Sequence, residues 1–533
     1  MTSVLAERTA KTSSGLRVVS GIFGLGAISK VLGLLSQILV TGLFGTTRLA
    51  DTFFFSLSIQ TTVATAIGGS VPAILIPKFV EFRNQGRRED ARRFASVIVT
   101  WCILLSMLLS GVLAWQSGHI IAGLGAFSHG SRGLAVGVFR ACTPMLVLMC
   151  VLQLLISVSQ AEKRFVVPAG MGILHSVVFI GILAAIYGYF GVYALVIATI
   201  TGVLSQVAVL CFYLRRSGGL SPAIRMGKHD VQEFFRLWWP VLISQFLAMI
   251  QVAANRTIAS SLLVGSVAAL AYAEALKGIF LELIVSPVAA MTFPHFAEKI
   301  VQGDFKTAWN DLQIRMLGLW FFLLPAIVLI WMFSRPLIEI VYQRGNFTER
   351  STAMTASALS LYSLGLVAES GHYLISRFYL ACKNVSTLTW IAVPITVLYV
   401  TSAHYLSRVL LHNGIALGWV LATTTQAALA FAILRSRLRL QVSKQLLEGV
   451  GKVAIGIVAM ILTLRTLNHL TSSASQTILV HLSWISLKGL LGSCVYVATT
   501  FTLRISQDCP FLAHFNPRQF LRQLQSRETG TTV

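Results

Sequence analysis

The chain has 533 residues, 55% of them hydrophobic and only 11% charged, with a formal net charge of +23 and a mean hydropathy of +0.76. That balance excludes a soluble domain, which has neither the core nor the surface to take so much apolar side chain, and leaves a protein solvated by lipid. It also excludes a nucleic-acid partner, because Lys and Arg are parcelled into short gaps between apolar stretches instead of being gathered on one face.

Met1 to Leu16 is polar and carries no cleavable signal peptide, since the first apolar run is long and is followed by more spans. Apolar windows of the length a bilayer requires fall at 17–44, 52–77, 94–116, 135–160, 166–190, 191–214, 236–264, 268–294, 310–334, 352–381, 386–407, 413–434, 449–468 and 478–503. The fold class expected is therefore an all-α polytopic membrane protein of about 14 transmembrane helices. The seven cysteines lie mostly inside these windows without paired ligand spacing, which argues against a disulfide framework or a metal site and reads as small hydrophobes. No cofactor is implied.

The gaps alternate in charge. One set holds Arg8, Lys11 and Arg17; Lys78, Arg83, Arg87, Arg88, Arg92 and Arg93; Lys163 and Arg164; Arg215, Arg216, Arg225 and Lys228; Lys299 and Lys306; Lys383; Arg435, Arg437, Arg439 and Lys444; and Arg518, Arg522 and Arg527. The other holds Arg48, Arg132, Arg335, Arg344, Arg350 and Arg408 and little else. Basic loops resist translocation, so both termini are placed in the cytoplasm of a multi-pass inner-membrane protein.

The first twelve helices repeat. Pro77-Lys-Phe-Val-Glu, with Gln85-Gly86 and Ala91 after it, returns as Pro294-His-Phe-Ala-Glu with Gln302-Gly303 and Ala308, an offset of 217 (294 − 77). Lys163 has its counterpart in Lys383, and Gly191-Val-Tyr-Ala-Leu returns loosely as Gly414-Ile-Ala-Leu. Six spans per unit bring the second copy back with the same polarity. The expected architecture is thus two parallel six-helix lobes, 1–216 and 217–440, then two further helices within 441–505 and a tail at 506–533. Repeated lobes suit alternating access around a site near the midplane, and transport is favoured over a channel because no ion-filter loop is present.

Ionisable groups at bilayer depth cost about 2.5–3.5 kcal/mol each on insertion scales, so each needs a partner, a cavity or a task. Lys30, Gly33, Gln37 and Thr41 form a polar stripe on the first helix. The second helix is rich in hydroxyls, from Ser56 to Thr65 and into Gly68-Gly69-Ser70, which suits a wetted wall or close packing. Glu274 and Lys277, three residues apart, can pair with each other. Gly365, Glu369, His372 and Ser376 share a face of the tenth helix beside Arg377, which suits either a proton or cation relay or an internal bridge from Glu369 to His372 or Arg377. Arg140 and Arg256 lie within spans as anion contacts or interfacial anchors. Prolines 72, 144, 240, 287, 325 and 394 permit bending. The segment 511–527 reads as an amphipathic interfacial tail.

Ser29-Lys-Val-Leu-Gly33, Leu43-Phe-Gly45, Ala50-Asp51 and Phe53-Phe54 open a series of strings that continues with Arg140 and Pro144, Arg164-Phe165 and Pro168, Phe190-Gly191, Tyr272-Ala273-Glu274, Arg344-Gly345-Asn346-Phe347-Thr348, and Arg377-Phe378-Tyr379 before Lys383. Their order and spacing resemble the bacterial lipid II flippase family, MurJ or MviN, of the multidrug/oligosaccharidyl-lipid/polysaccharide exporter superfamily. The resemblance implies a flippase that carries an undecaprenyl-pyrophosphate-linked glycan across the inner membrane, with cavity candidates Lys30, Gln37, Asp51, Arg140, Arg256, Glu274 and Lys277 and coupling candidates Glu369, His372 and Arg377. The partners it implies are a lipid-linked oligosaccharide, membrane lipids and a coupling cation or proton. This chain departs from the family pattern where Ser36-Gln37 replaces an Arg-Asp pair, where the Val63 to Ala66 region replaces paired arginines, and at Ala275. A flippase for another polyprenyl-linked polysaccharide, a drug or cation antiporter, and a non-transporting membrane scaffold remain the alternatives. No nucleophile with a positioned base is visible, so an enzyme is not expected.

The orientation predicts that a cysteine at Gly86 is shielded from an impermeant periplasmic thiol reagent while one at Ser128 is labelled; the reverse pattern overturns it.

Overall fold

The computed structural model describes residues 24–125, 129–162, 164–216, 228–470 and 478–509. Arg8, Lys11, Arg17, Ser128, Lys163, Arg225 and the tail at 511–527 lie outside the described residues. Among those described, every regular element is helical, as lipid demands of backbone amides that have no water to bond. Among the described residues, thirteen helices are long and apolar enough to span a membrane. The expected fourteenth, α2 (Arg48–Gly68), is 21 residues long but is not among them, because Asp51, Gln60 and its run of Ser and Thr lower its hydropathy.

Cα packing divides the chain into two compact units. The first comprises Met1–Tyr272, Tyr342–Ser351 and Ala403–Ile415, and the second Ala273–Val341, Thr352–Ser402 and Ala416–Val533.

In the first unit, α1 (Gly24–Phe44) and α2 are followed by α3 (Pro72–Asn84), α4 (Arg88–Trp115), the short α5 (Ser117–Leu124), α6 (His129–Ala161), α7 (Val166–Phe190), α8 (Val192–Arg215) and α9 (Lys228–Ser260). Its core joins Ile67, Val71 and Leu75 to Phe94 and Ile98 of α4, Leu154 and Leu155 of α6, Leu210 of α8, and Phe234 and Trp238 of α9. The hydroxyls of α2 serve their own helix: Thr52, Ser56, Ser58, Thr61, Thr62 and Thr65 each donate to the carbonyl four residues back. This satisfies each donor within the helix.

One end of this unit is a clasp built from the family-like strings. Gly45 (φ +54) and Gly345 (φ +57) occupy the left-handed region, and a Cβ on either would strike the backbone of Asn346 or Gly42, so only glycine lets the two turns meet. Asn346 donates its backbone N–H to Gly42 O (2.8 Å) and its Nδ2 to Leu43 O (2.6 Å). Tyr272 donates to Gly45 O (3.0 Å) and packs its ring on Phe54 and Phe347. The buried Asp51 carboxylate accepts from Gly265 N (2.6 Å) and Ala268 N (2.8 Å), satisfying amides at the start of α10 (Ser266–Phe280).

The second unit continues α10 through a π-helical turn, Leu281–Val285, into α11 (Ser286–Val301) without interruption, so the window 268–294 is one helical span, Ser266–Val301, with a π turn inside it. It adds α12 (Phe305–Tyr342), α13 (Glu349–Ala381), α14 (Val385–Leu410), α15 (His412–Leu438), α16 (Lys444–Leu470), α17 (Ile478–Thr502) and α18 (Ile505–Asp508), where α12 to α15 each pass in part through the stretches named above. Leu317 and Phe321 of α12 pack with Val453 and Met460 of α16 and with Tyr496 of α17. The proline expectation needs correction at Pro72, which sits in the first turn of α3, where the ring disturbs nothing; Pro287 follows directly on the π-helical turn of a continuous helix, and the one break in α12 falls at Phe333 (φ −112°, ψ 21°), before Pro336.

The recurring Gln-Gly motif takes the same backbone form in both places. Gly86 and Gly303 follow α3 and α11 with φ of +79° and +80°, ending both helices by the same left-handed residue. A cysteine at Gly86 would be strained, so the exposed Glu89 is the better labelling position.

Because Asp51 accepts two charge-assisted bonds, Asp51→Ala is expected to destabilise the protein by about 3 kcal/mol, and Asp51→Asn by about half of that. Denaturant unfolding in detergent reads the difference; equal stability of all three proteins contradicts the assignment.

Candidate functional site

The polar stripe of α1 has a definite direction. At 3.6 residues per turn, Lys30, Gly33 and Gln37 lie roughly opposite Ile28, Val31 and Leu35, which are 52%, 61% and 48% exposed and form the helix's lipid face. Gly33 borders open space, and Ser29 is received by the bare backbone of Gly172 on α7. Lys30 is therefore half-buried on the side of α1 roughly opposite these exposed side chains.

In the second unit, α10, α13 and α15 assemble a charged cluster. Lys277 Nζ lies 3.2 Å from Glu369 Oε2 and 3.6 Å from the ring centroid of Trp419, with the Tyr362 ring at 5.6 Å. Tyr362 donates its hydroxyl to Glu274 Oε1 at 3.1 Å and meets Trp419 edge-on at 5.4 Å. Trp419 reaches this position because residue 365 is glycine; a Cβ there would collide with the indole. The cluster holds two carboxylates and one ammonium, which an aromatic face also stabilises.

This geometry revises the pairing expected within each helix. Lys277 bonds across to Glu369 and not to Glu274, its neighbour along α10. Glu369 bridges to neither His372 nor Arg377: Arg377 lies over Tyr373 and bonds its hydroxyl at 3.4 Å, and the buried Nδ1 of His372 is unbonded. Tyr362 and Trp419 were invisible from spacing, since aromatic residues on an apolar helix carry no charge signal.

The remaining candidates scatter through the first unit. Arg140 donates from Nε to Ser117 Oγ at 2.7 Å and ties α6 to α5. Asp51 is engaged by the α10 amides described above. Arg256 of α9, 7% exposed, donates to Ser58 Oγ of α2 at 3.0 Å. Gln37 stays half-buried on the α1 stripe. Gln60, which stands in the polar run of α2, is fully buried and has both amide atoms unbonded. Among the described residues no group of three His, Cys, Asp or Glu side chains is placed to hold a metal ion.

Comparison with known proteins places this arrangement. The family model described as Lipid II flippase MurJ matches residues 40–486. A protein of Burkholderia cenocepacia named Lipid II flippase MurJ is 24% identical over 438 residues, 79% of this chain and 84% of its own. One of Rickettsia prowazekii, named Probable lipid II flippase MurJ, is 21% identical over 491 residues, 90% and 96% of the two chains. Among solved structures, the inward closed conformation of Lipid II flippase MurJ is similar with a TM-score of 0.74 at 19% identity, covering 91% of this chain and 99% of that one. An inward-facing multidrug resistance MATE family transporter of the MOP superfamily follows at 0.63 and 17%, covering 77% and 94%. These structural likenesses establish the fold.

Removing one partner of a half-buried pair leaves the other charge poorly compensated, so Lys277→Met is expected to destabilise by about 2–3 kcal/mol. The double variant Lys277→Met/Glu369→Gln should recover about 2 kcal/mol of that loss, measured as a double-mutant cycle on unfolding in detergent. Strict additivity would show that the two side chains do not interact.

Proposed function

Because the chain belongs to the lipid II flippase MurJ family, we propose that it translocates an undecaprenyl-pyrophosphate-linked, lipid II-like peptidoglycan precursor across the bacterial inner membrane. The observation that carries this reading is the family match over residues 40–486 joined to a lysine, Lys30, held on the side of α1 opposite its lipid face. Both termini are placed in the cytoplasm, on the side of the basic gaps. The repeat lobes 1–216 and 217–440 rock about the substrate, and the helices within 441–505 take the polyprenyl chain.

Cationic groups serve the pyrophosphate, since ammonium and guanidinium donors form charge-assisted bonds with phosphate oxygens. Lys30 is one. Arg256 is another: it brings a guanidinium to the middle of α2 at Ser58, the helix whose family arginines are absent here. The cluster of Lys277, Glu274 and Glu369 has one carboxylate more than it has ammonium groups, and we assign it to coupling through a proton or monovalent cation. His372 and Arg377 play no part in that pairing. The likeness to a MATE transporter is one of fold and brings no drug specificity with it.

Complementation of a bacterial strain depleted of its lipid II flippase is the test. The wild-type chain should restore growth; Lys30→Ala should fail at equal abundance, and Lys30→Arg should retain part of the activity because charge is what is used. Full rescue by Lys30→Ala would remove Lys30 from the substrate path.

A further inference from the structure

A pocket of about 240 Å³ opens at the basic end of the first unit, between the end of α3, the start of α4 and the end of α6, lined by Phe79, Ala91, Arg83, Arg88, Arg92, Glu162 and Arg164. Phe79 and Ala91 form an apolar floor, 4% and 1% exposed. Four guanidiniums therefore face one carboxylate. Of the other acids of this hairpin, Glu81 is taken up by Lys78 (3.5 Å) and Asp90 by Arg87 (2.7 Å), and the exposed Glu89 is not part of the lining. Two of the lining arginines are held in place: Arg83 donates to Ala161 O at 3.3 Å, and Arg164 lies 3.4 Å from Glu162 and over the Tyr213 ring.

The internal repeat supplies a control for whether the fold itself requires these charges. At the offset of 217, Phe79 and Ala91 return as Phe296 and Ala308, both fully buried, so the floor belongs to the hairpin. Arg83, Arg88 and Arg92 correspond instead to Ile300, Phe305 and Trp309, and at the offset of 220 (383 − 163) Glu162 and Arg164 correspond to Cys382 and Asn384. Trp309 is buried and donates to Gln441 O at 2.9 Å, so the second copy is closed by the chain that leads into α16. Helix capping makes the same contrast. Asp304 caps α12 through Thr307 N, whereas its counterpart Arg87 makes no side-chain cap to α4, although carboxylates are preferred there. The first copy thus keeps an open, arginine-lined pocket that neither packing nor helix propensity asks for.

We propose that this pocket binds the phosphate group of an anionic lipid at the membrane face that carries the basic gaps, a face whose cytoplasmic assignment rests on the orientation proposed above. Planar guanidiniums match phosphate oxygens in pairs, and clustered like charges are relieved by a bound anion. Basic pockets between helices on the cytoplasmic side take phospholipid headgroups by the same physics. A free phosphate shares the chemistry and is separated by experiment.

The test is the melting midpoint of the detergent-purified full chain titrated with dioctanoyl phosphatidylglycerol, dioctanoyl phosphatidylcholine or sodium pyrophosphate at constant ionic strength, a readout independent of transport. Phosphatidylglycerol should raise the midpoint and phosphatidylcholine should not. Each exposed arginine removed should weaken the apparent affinity roughly fivefold, and Arg83→Gln/Arg88→Gln/Arg92→Gln together on the order of a hundredfold, while Arg87→Gln, outside the pocket, leaves it unchanged. A response to pyrophosphate that equals or exceeds that to phosphatidylglycerol, lost in the same triple variant, keeps the phosphate site but overturns the lipid as its source. Equal responses of the wild type and the triple variant, or of the two lipids, overturn the site itself. Should the triple variant fail to fold, Arg88→Gln alone, at an exposed position, carries the same comparison at about fivefold.

Discussion

A charge placed in hydrocarbon must be answered by another group within bonding distance, and the polar architecture of this protein follows from that constraint. Lys277 is answered by Glu369 on one side and the Trp419 face on the other. Asp51 is answered by two amides at the start of α10, and Arg256 reaches the hydroxyl of Ser58. The hydroxyls of α2 turn inward on their own carbonyls, so a helix too polar to stand among the apolar spans still fits a membrane fold. Each solution fixes a pair of helices in register, and the charges thereby also organise the packing.

The clasp shows the same economy in backbone terms. Strings that carry the family resemblance, Leu43 to Gly45, Asp51, Tyr272 and Arg344 to Thr348, lie far apart in sequence yet meet in one place. Glycine turns bring carbonyls within reach of Asn346 and Tyr272, and Thr46 and Ser351 join hydroxyls at 2.7 Å. Their shared patterning is explained by close approach and hydrogen bonding.

The spans and the recurring Gln-Gly turn were legible in the sequence because each leaves a one-dimensional trace: apolar length, and a motif that takes φ near +80° at both Gly86 and Gly303. Partner choice was not legible. Glu274 and Lys277 sit at ideal helical spacing, but α13 supplies Glu369 and Tyr362 at closer geometry, and nothing in the spacing of α10 announces a neighbour almost a hundred positions away. The break at Phe333 was likewise hidden, since the apolar window 310–334 ends short of Pro336, whose ring and missing amide fall one turn after the break. The arginine pocket could be recognised as exceptional only by setting the first copy beside the second.

The central claim is that this chain moves a lipid-linked glycan. The most direct measurement is the flipping of purified lipid II by the reconstituted protein in proteoliposomes, read as the fraction accessible to an external modifying reagent over time. The account predicts that accessibility rises with protein present, and that it stays at the level of empty liposomes with Lys30→Ala reconstituted to the same density. Wild-type proteoliposomes that behave like empty ones, under both imposed proton and sodium gradients, would contradict it.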